Sequence, residues 1–273
     1  MSVHTLFADS GSTKTDWALC GQVVSTQGIN PLLQDDDAII HILNDELQPQ
    51  LTSAVSGICF FGSGVILQQQ PRMEKLLRQA FPHVANIEAH SDLLGAARAL
   101  LGNTEGIACI LGTGSNSCLY DGRDIVSNTP ALGYVLGDEG GGARLAIRLL
   151  NALYKDPRYA PLRQVFEHEM CLTMASVIDH VYRQPLPNRW LASLSPFVHN
   201  HLDHPLLSQL VTTHFRSFLQ RNVEPYGRRD LPVSAVGSLA AVYTEQWTEA
   251  LAAEGFLKGN IMKSPIEAFV LVP

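Results

Sequence analysis

Charged side chains are scarce in this sequence: Asp, Glu, Lys and Arg together make up 16% of the 273 residues, against about 25% in a typical soluble chain. Hydrophobic residues make up 46%, and this composition excludes a disordered protein, which needs low hydrophobicity and high charge. The 19 basic and 26 acidic residues give a formal net charge of −7 and are scattered along the chain. Because an electrostatic nucleic-acid binder needs a clustered basic face, we expect no nucleic-acid partner.

Long apolar runs are also missing, and none approaches the roughly 18 residues of a membrane span. The N-terminus lacks the basic patch and apolar stretch of a secretory signal peptide, so we expect a cytoplasmic protein without a membrane partner. The length allows one large domain or two domains of roughly 100 to 170 residues, with a sizeable buried core.

Cysteine is rare, with five residues in the chain, and no two of them have the Cys-x-x-Cys spacing of a metal or redox motif. An odd number of thiols, mostly in apolar segments, is typical of a reduced cytosolic protein. Neither a disulfide framework nor a zinc site is therefore expected. These residues are Cys20, Cys59, Cys109, Cys118 and Cys171.

An internal repeat organises the chain. Residues 6–28 read LFADSGSTKTDWALCGQVVSTQG, and residues 107–128 read IACILGTGSNSCLYDGRDIVSN. Each copy has an apolar segment, a turn of small residues, a second apolar segment, a glycine turn and a third short segment, which together indicate strands joined by hairpins. The predicted strands are 4–9, 15–20 and 22–26 in the first copy and 106–111, 117–120 and 124–127 in the second. Two such hairpins at matching positions predict two related halves.

Helices and further strands are predicted after each hairpin. The first half continues with a helix over 36–47, a strand over 56–61, a helix over 70–81, a strand over 86–90 and a helix over 92–101. The second half continues with helices over 143–154, 163–182 and 206–222, a strand over 232–236 and a helix over 240–254.

Mixed sheets flanked by helices, twice over, predict an α/β protein of two lobes with a cleft between them. The predicted lobes are residues 1–103 and residues 104–273, with the C-terminal segment free to pack back on the first lobe. The helices over about 143–222 form an insertion in the second lobe.

The turn that follows the first strand has the composition of an anion site. It runs from Asp9 to Thr15, and its small residues, Gly11 and Ser12 among them, allow successive backbone N–H groups to point at one anion. Thr13 adds a hydroxyl and Lys14 a cation, while Asp9 supplies a carboxylate for a hydrated Mg²⁺. The turn lacks the spacing of a P-loop, and the alternative is an ordinary tight hairpin.

A second glycine-rich turn stands at the matching position of the other half. Gly112, Thr113 and Gly114 again follow an apolar strand. One such turn is weak support for a phosphate site. Two turns at repeat-related positions, facing one cleft, suit a triphosphate held between two lobes.

The segments ADSGSTKTDW, HSDLLGAARAL, LGTGSN, GYVLGDEGGGARLA and VGSLA occur in this order along nearly the whole chain. Together they resemble the actin-like ATPase-domain superfamily of sugar kinases, Hsp70-type chaperones and actin. Within it the chain is most similar to the N-acetylglucosamine kinase branch, grouped with the ATPase activators of 2-hydroxyacyl-CoA dehydratases and benzoyl-CoA reductase. The resemblance implies two ribonuclease H-like lobes, which agree with the βββαβαβα repeat.

The resemblance also implies a role for Asp92, which stands where a predicted strand meets the start of a predicted helix. The matching Asp of these kinases accepts the proton from the sugar hydroxyl that attacks the γ-phosphate. A carboxylate that touches the hydroxyl supplies orientation and a proton acceptor. The alternative is a helix cap, for which Asp is well suited.

Sugar contacts are implied at Asn30, Thr113, Asn116 and Asp138, because carboxylates and amides supply the acceptors and donors that sugar hydroxyls need. Asn30 could instead be a turn residue, and Asp138 with its neighbour Glu139 could instead cap the following helix. The nucleotide contacts implied by the resemblance are Asp9, Gly11, Ser12, Thr13, Lys14, Gly112, Thr113, Gly114, Gly237 and Ser238.

The expected function is an ATP-dependent sugar kinase that phosphorylates an amino sugar, N-acetylglucosamine or glucosamine, with ATP and Mg²⁺ as cofactors. Two alternatives stay open: an ATPase activator of a dehydratase-type system, and a non-enzymatic sugar sensor. The cysteines lack the setting of the iron–sulfur cluster that such activators hold, and the zinc-binding cysteine cluster of other bacterial sugar kinases is absent. Whether the chain forms a homodimer is left open.

Overall fold

The computed structural model describes residues 4–11 and 13–270. These residues form two compact units. The first takes the described residues within Met1–Thr104, Gly122–Asp124 and Ser264–Pro273, and the second takes Glu105–Asp121 and Ile125–Lys263.

Ten strands and thirteen α-helices are described. The strands are β1 (Thr5–Ser10), β2 (Lys14–Leu19), β3 (Gln22–Gln27), β4 (Gly57–Gly62), β5 (Asn86–Ser91), β6 (Gly106–Leu111), β7 (Ser115–Tyr120), β8 (Ile125–Thr129), β9 (Pro232–Val236) and β10 (Leu257–Met262). The helices are α1 (Asp36–His41), α2 (Gln70–Ala80), α3 (Asp92–Leu101), α4 (Gly133–Leu136), α5 (Gly142–Lys155), α6 (Ala160–Glu169), α7 (Met174–Arg183), α8 (Pro187–Ala192), α9 (Ser195–Asn200), α10 (Pro205–Phe218), α11 (Ser238–Val242), α12 (Thr244–Glu254) and α13 (Ile266–Phe269).

The two sheets have the same topology. The first has the strand order β3-β2-β1-β4-β5, and the second, read from its other edge, has the order β8-β7-β6-β9-β10. In each, three antiparallel strands from the hairpins are followed by two parallel strands that extend the sheet from its centre. The predicted α/β class and the predicted repeat are therefore confirmed.

The first sheet is covered on both faces. Side chains alternate along β1, so that Leu6 and Ala8 enter a core that also contains the fully buried Trp17. On the other face, Phe7 stacks on Phe269 of α13 at a ring-centroid distance of 5.0 Å. Burial of both faces explains the apolar run Leu6, Phe7 and Ala8 in the middle of this strand. Asp9 lies on the same side of β1 as Phe7, because successive side chains alternate.

The second unit has its own, larger core. Phe215 of α10 packs edge to face against Trp247 of α12, with ring centroids 5.4 Å apart. Both side chains are fully buried. The predicted helical insertion is confirmed as α5 to α10, followed by a π-helical turn, Leu219–Val223.

Two predicted helices are wrong as single elements. The helix expected over 163–182 is broken between α6 and α7, where Cys171 has a φ of 51°. Thr173 then starts α7 with a capping box, in which its side chain accepts from the Ser176 N–H and the Ser176 hydroxyl accepts from the Thr173 N–H. The helix expected over 240–254 is interrupted at Tyr243, whose φ and ψ of −109° and 40° separate α11 from α12.

Strand β10 was not predicted. It lies at the edge of its sheet beside β9 and shows no buried position, so its sequence lacks the apolar alternation that marks a half-buried strand. Gly259 within it packs on Ser234, where a Cβ would meet the hydroxyl oxygen at 2.2 Å.

No helix within the described residues is long and apolar enough to cross a bilayer. The five cysteines, all of them in the described part of the chain, are free thiols. The described part of the chain contains no cluster of three or more His, Cys, Asp or Glu side chains suited to a metal ion.

Candidate active site

Two carboxylates meet at one end of the first sheet. The parallel register aligns Ser10, at the end of β1, with Gly62 of β4, and Gly62 with Ser91 of β5. Asp9 therefore lies at the same end of the sheet as Asp92, the first residue of α3, with β4 between their strands. The carboxyl ends of parallel strands are the usual place for a ligand site in α/β sheets.

Asp9 is poised to bind a cation. Burial raises its pKa to about 6; a hydrogen bond from Ser264 opposes this rise, and the negative charge of Asp92 adds to it. The Ser264 hydroxyl donates to Oδ2 of Asp9 over 3.2 Å. A nearby cation stabilises the charged form of a buried carboxylate that faces a second carboxylate. The residues present thus fit a hard cation such as Mg²⁺, which prefers oxygen ligands.

Asp92 is not the cap of α3. That position belongs to Ser91, whose backbone is extended and whose side-chain oxygen accepts the Leu94 N–H at 3.3 Å. The Asp92 carboxylate accepts the N–H of its neighbour Leu93 at 2.9 Å and a hydrogen bond from its own backbone N–H. Burial raises the pKa of Asp92, and the Leu93 hydrogen bond partly offsets the rise. The capping alternative for Asp92 is therefore wrong.

The first turn is a tight hairpin. The Gly11 N–H donates to the Lys14 carbonyl at 3.0 Å, so this donor is used within the turn. Lys14 pairs with Asp16, its Nζ lying 2.8 Å from Oδ2, and its side chain is 61% exposed. Thr13 is exposed. Ser12 lies outside the described residues.

Asn30 is held in a fixed position next to the two residues that flank this turn, Ser10 and Thr15. The hydroxyls of Ser10 and Thr15 both accept the N–H of its neighbour Ile29, at 3.1 and 3.2 Å. The Asn30 Oδ1 accepts the Leu32 N–H at 3.0 Å, so the residue does form a turn. Its side chain also contacts Gly64, where a Cβ would stand 2.2 Å from Oδ1.

In the second unit, two glycine-rich loops pack backbone to backbone. A Cβ on Gly141 would stand 2.7 to 3.0 Å from the backbone atoms of Gly114. The first N–H groups of α5, from Gly142 and Ala143, donate to the carbonyls of Gly112 and Thr113, at 2.8 and 3.0 Å. The loop is thereby attached to the start of a 14-residue helix.

Asp138 lies against the same loop. It has a φ of 51°, and a Cβ on Gly114 would stand 2.7 Å from its Oδ2. Burial raises the pKa of Asp138, while a hydrogen bond from the Ser115 backbone lowers it and the charge of Glu139 raises it. The cap residue of α5 is Gly141, with no side-chain capping bond among the described residues. The capping alternative for Asp138 and Glu139 is therefore wrong.

Asn116 and Glu139 are engaged by their neighbours. Oδ1 of Asn116 accepts the Ser117 N–H and the Nδ2 of Asn128, both at 2.9 Å. Glu139 is buried, and its carboxylate lies 3.7 Å from Arg221.

Gly237 starts α11 in a conformation that excludes other residues. Its φ is 126°, and a Cβ there would stand 2.3 Å from the Leu111 carbonyl oxygen. The backbone of β6 thus passes directly beside this turn. Ser238 follows it and is exposed.

A solved structure from Porphyromonas gingivalis, provisionally assigned as an N-acetylglucosamine kinase, is 43% identical to the chain. The match covers 97% of each chain with a TM-score of 0.90. The chain belongs to the N-acetylglucosamine kinase-like branch of the actin-like ATPase-domain superfamily. No family model and no curated protein matches it.

More distant members share the fold alone. A Chromobacterium violaceum structure with the same provisional assignment is 18% identical over 98% of each chain, with a TM-score of 0.71. A ROK-family glucokinase from Streptomyces griseus, solved with glucose and AMPPNP, is 12% identical over 98% of this chain and 96% of its own, with a TM-score of 0.56. The expected membership in the superfamily is confirmed, and the grouping with dehydratase activators stays a prediction.

Each unit also contains residues that were not predicted and that contact its candidate site residues. Ser264 binds Asp9 from a position 255 residues later in the chain. Gly64 and Asn128 position Asn30 and Asn116. Only Gly64 carried a local signal, the glycine pair of FGSG directly after an apolar strand.

Proposed function

We propose that this protein is an ATP-dependent sugar kinase that transfers the γ-phosphate to a hydroxyl of an amino sugar, N-acetylglucosamine or glucosamine. The observation that carries the proposal is the pair formed by Asp9 and Asp92 at the carboxyl ends of β1 and β5. Burial raises the pKa of both groups, which is typical of catalytic carboxylates. The 43% identity to the Porphyromonas gingivalis protein supports the same reaction class.

Asp92 is the proton acceptor in this proposal. Phosphoryl transfer depends mainly on positioning and on stabilisation of charge. A carboxylate that contacts the attacking hydroxyl orients it and takes its proton as the new bond forms. The raised pKa makes Asp92 a stronger base than an exposed Asp, and its position at the start of α3 holds it in place.

Asp9 is the residue that would hold Mg²⁺, through water. When bound, this ion supplies positive charge to the phosphate oxygens of the nucleotide. Asp9 itself is oriented by Ser264, which fixes one of its oxygens. Thr13 and the exposed ammonium of Lys14 are the phosphate contacts that we assign to the first turn, together with Gly11 and Ser12.

The remaining ligand contacts are assigned by chemistry. Asn30, Asn116 and Asp138 supply amide and carboxylate groups for sugar hydroxyls, and Thr113 adds a hydroxyl. We assign Gly112, Gly114, Gly237 and Ser238 to the nucleotide. At Gly237 a side chain would meet the backbone of β6. This position therefore requires a residue without a side chain.

The test is a sugar-dependent ADP-release assay. The panel comprises N-acetylglucosamine, glucosamine, N-acetylmannosamine, glucose and no sugar, each with and without Mg²⁺. We expect ADP release only with sugar and Mg²⁺, and the highest kcat/KM with an amino sugar. Sugar-independent ATP hydrolysis would favour an ATPase activator, and sugar binding without turnover would favour a sensor.

We further propose that the enzyme acts in the cytoplasm on free sugar and ATP, without nucleic-acid or membrane partners. Size-exclusion chromatography with light scattering would distinguish a monomer from a homodimer. Fractionation of cells that express a tagged chain would test the compartment.

A further inference from the structure

A groove in the helical insertion, outside the candidate active site, is lined by arginines. Its volume is about 620 Å³, within the range of small-molecule sites. One wall is the face of α5 formed by Arg144, Ile147, Arg148 and Asn151, which recur at helical spacing. The opposite wall is the matching face of α10, and the 3₁₀ turn Pro157–Tyr159 adds the remaining lining residues.

Two of the three arginines in the groove form no ion pair. Arg158 is held by Asp156 in a fork, with N···O distances from 2.6 to 3.1 Å. By contrast, neither Arg144 nor Arg148 forms an ion pair with any carboxylate among the described residues. The described residues that line the groove include no carboxylate at all, although the chain as a whole carries a net charge of −7.

Arg148 is also incompletely hydrogen-bonded. Its Nε is buried and has no partner within the described part of the chain. Burial lowers the pKa of Arg148, and the positive charges of Arg144 and Arg221 lower it further, while Glu139 opposes them. Glu139 is not among the residues that line the groove, and its carboxylate lies 3.7 Å from Arg221.

Like charges four residues apart on one helix repel each other, and a buried donor without a partner costs free energy. The repulsion is offset when an anion lies between the two guanidinium groups. Arg presents its N–H donors as a planar fork that matches the oxygens of a phosphate or carboxylate. Two positive charges that form no ion pair match a phosphate monoester, which carries about −1.5 to −2 at neutral pH.

We propose that this groove binds a phosphate monoester of a small polyhydroxylated compound, with the phosphate between Arg144 and Arg148. The volume exceeds what a phosphate group alone fills, and the α10 wall offers Gln209 and Thr213 as partners for hydroxyl groups. Ile147 supplies apolar surface for the carbon skeleton. This site is distinct from the proposed kinase residues, and the inference does not depend on the proposed function.

The experiment titrates glycerol 3-phosphate, inorganic phosphate and glycerol into the full chain by isothermal calorimetry at low ionic strength. We compare wild type with Arg144→Gln and Arg148→Gln. The matched control is Arg183→Gln, which removes one positive charge from an exposed side chain at the end of α7. All three variants retain any binding of phosphate at other sites. The difference in affinity between the groove variants and the control therefore reports binding in the groove.

We expect glycerol 3-phosphate to bind wild type more tightly than inorganic phosphate does, and glycerol not to bind. Each groove variant should lower the affinity for the ester by about tenfold or more, while Arg183→Gln should leave this affinity unchanged. In the side-chain NMR spectrum, the Arg148 Nε–H resonance should shift on addition of the ester. Without ligand, the groove variants should be at least as stable to heat as wild type, because one like charge is gone.

Four outcomes overturn the proposal. The ester does not bind wild type; it binds the groove variants as well as wild type; the Arg183→Gln control loses affinity to the same extent; or inorganic phosphate binds as tightly as the ester. The last result would leave an unspecific anion site in place of a monoester site.

Discussion

The pKa of Asp9 makes the stability of the free protein depend on pH. The folded-state pKa of about 6 lies above the ordinary value of 3.8, so the folded protein binds this proton more tightly than the unfolded chain. Stability is therefore greatest below pH 4 with respect to this group, and part of it is lost as the pH rises through 6. The loss is complete above that range.

Asp9→Asn removes this loss, and Asn still accepts the hydrogen bond from Ser264. Without Mg²⁺, we expect the variant to match wild type near pH 4 and to be more stable by about 1–2 kcal/mol at pH 7.5, after allowance for solvent screening. Urea unfolding at both pH values measures the difference. The exposed Asp37→Asn on α1 is the control and should show no such trend. Equal stability of Asp9→Asn and wild type at pH 7.5 would contradict the buried, charge-repelled state of Asp9.

A matched pair of variants separates catalysis from capping at the start of α3. Asp92→Asn removes the proton acceptor, so turnover should fall by about 10²–10⁴-fold, while Mg-ATP affinity stays near that of wild type. Ser91→Ala removes the cap, so it should lower stability by about 1 kcal/mol and leave turnover largely intact. Steady-state kinetics and thermal unfolding of both variants provide the comparison. Near wild-type turnover of Asp92→Asn on its best sugar would remove Asp92 from the mechanism.

Among the elements, the contact between the two glycine-rich loops of the second unit is the least tolerant of change. Gly141→Ala would place a Cβ 2.7 to 3.0 Å from backbone atoms of Gly114, which cannot move as a flexible side chain can. We expect a loss of about 1–3 kcal/mol in the free energy of unfolding. Gly112→Ala is the control for stability, because no described atom beyond its two chain neighbours lies within 4 Å of its Cβ position. Urea unfolding that ranks the two variants in the opposite order would refute the tight loop packing.

The predicted elements succeed where burial determines the pattern. Strand β6 has the predicted bounds, 106–111, and its residues read as an apolar run because the strand is buried on both faces. Predictions fail where long-range contacts decide. The edge strand β10 shows no buried position, and its pairing with β9 is visible only once the sheet is assembled.

The site was predictable to the extent that it lies on local motifs. Asp9 lies near the end of β1 and Asp92 directly follows β5, so both stand on local patterns that the sequence shows. Ser264 reaches Asp9 because the chain returns to the first unit near its C-terminal end. No local sequence pattern predicts this return. Arg144 and Arg148 resemble an ordinary solvated helix face in sequence, and only the opposite wall of α10 turns that face into a groove.

At the scale of the whole molecule, the identical topology of the two sheets is the clearest sign of a repeated unit. Both place a glycine-rich turn directly after the central strand, following β1 in one unit and β6 in the other. The residues at these two turns nevertheless differ. Asp9 provides a carboxylate at the end of β1, whereas β6 ends in Leu111 and continues into Gly112.

If the protein binds Mg-ATP, the nucleotide should protect the folded chain as a whole. A ligand that binds only the folded state adds RT ln(1 + [L]/Kd), about 2.7 kcal/mol at 100 times Kd, and this corresponds to a rise in Tm of roughly 5–10 °C. Differential scanning fluorimetry with Mg-ATP, ATP plus EDTA, and Mg²⁺ alone measures the effect. Because Asp9 is the assigned magnesium residue, Asp9→Asn should lose the part of the protection that depends on Mg²⁺ and keep the part that ATP provides alone. The exposed Asp37→Asn should behave as wild type, and a folded wild-type protein with no shift at millimolar Mg-ATP would refute nucleotide binding.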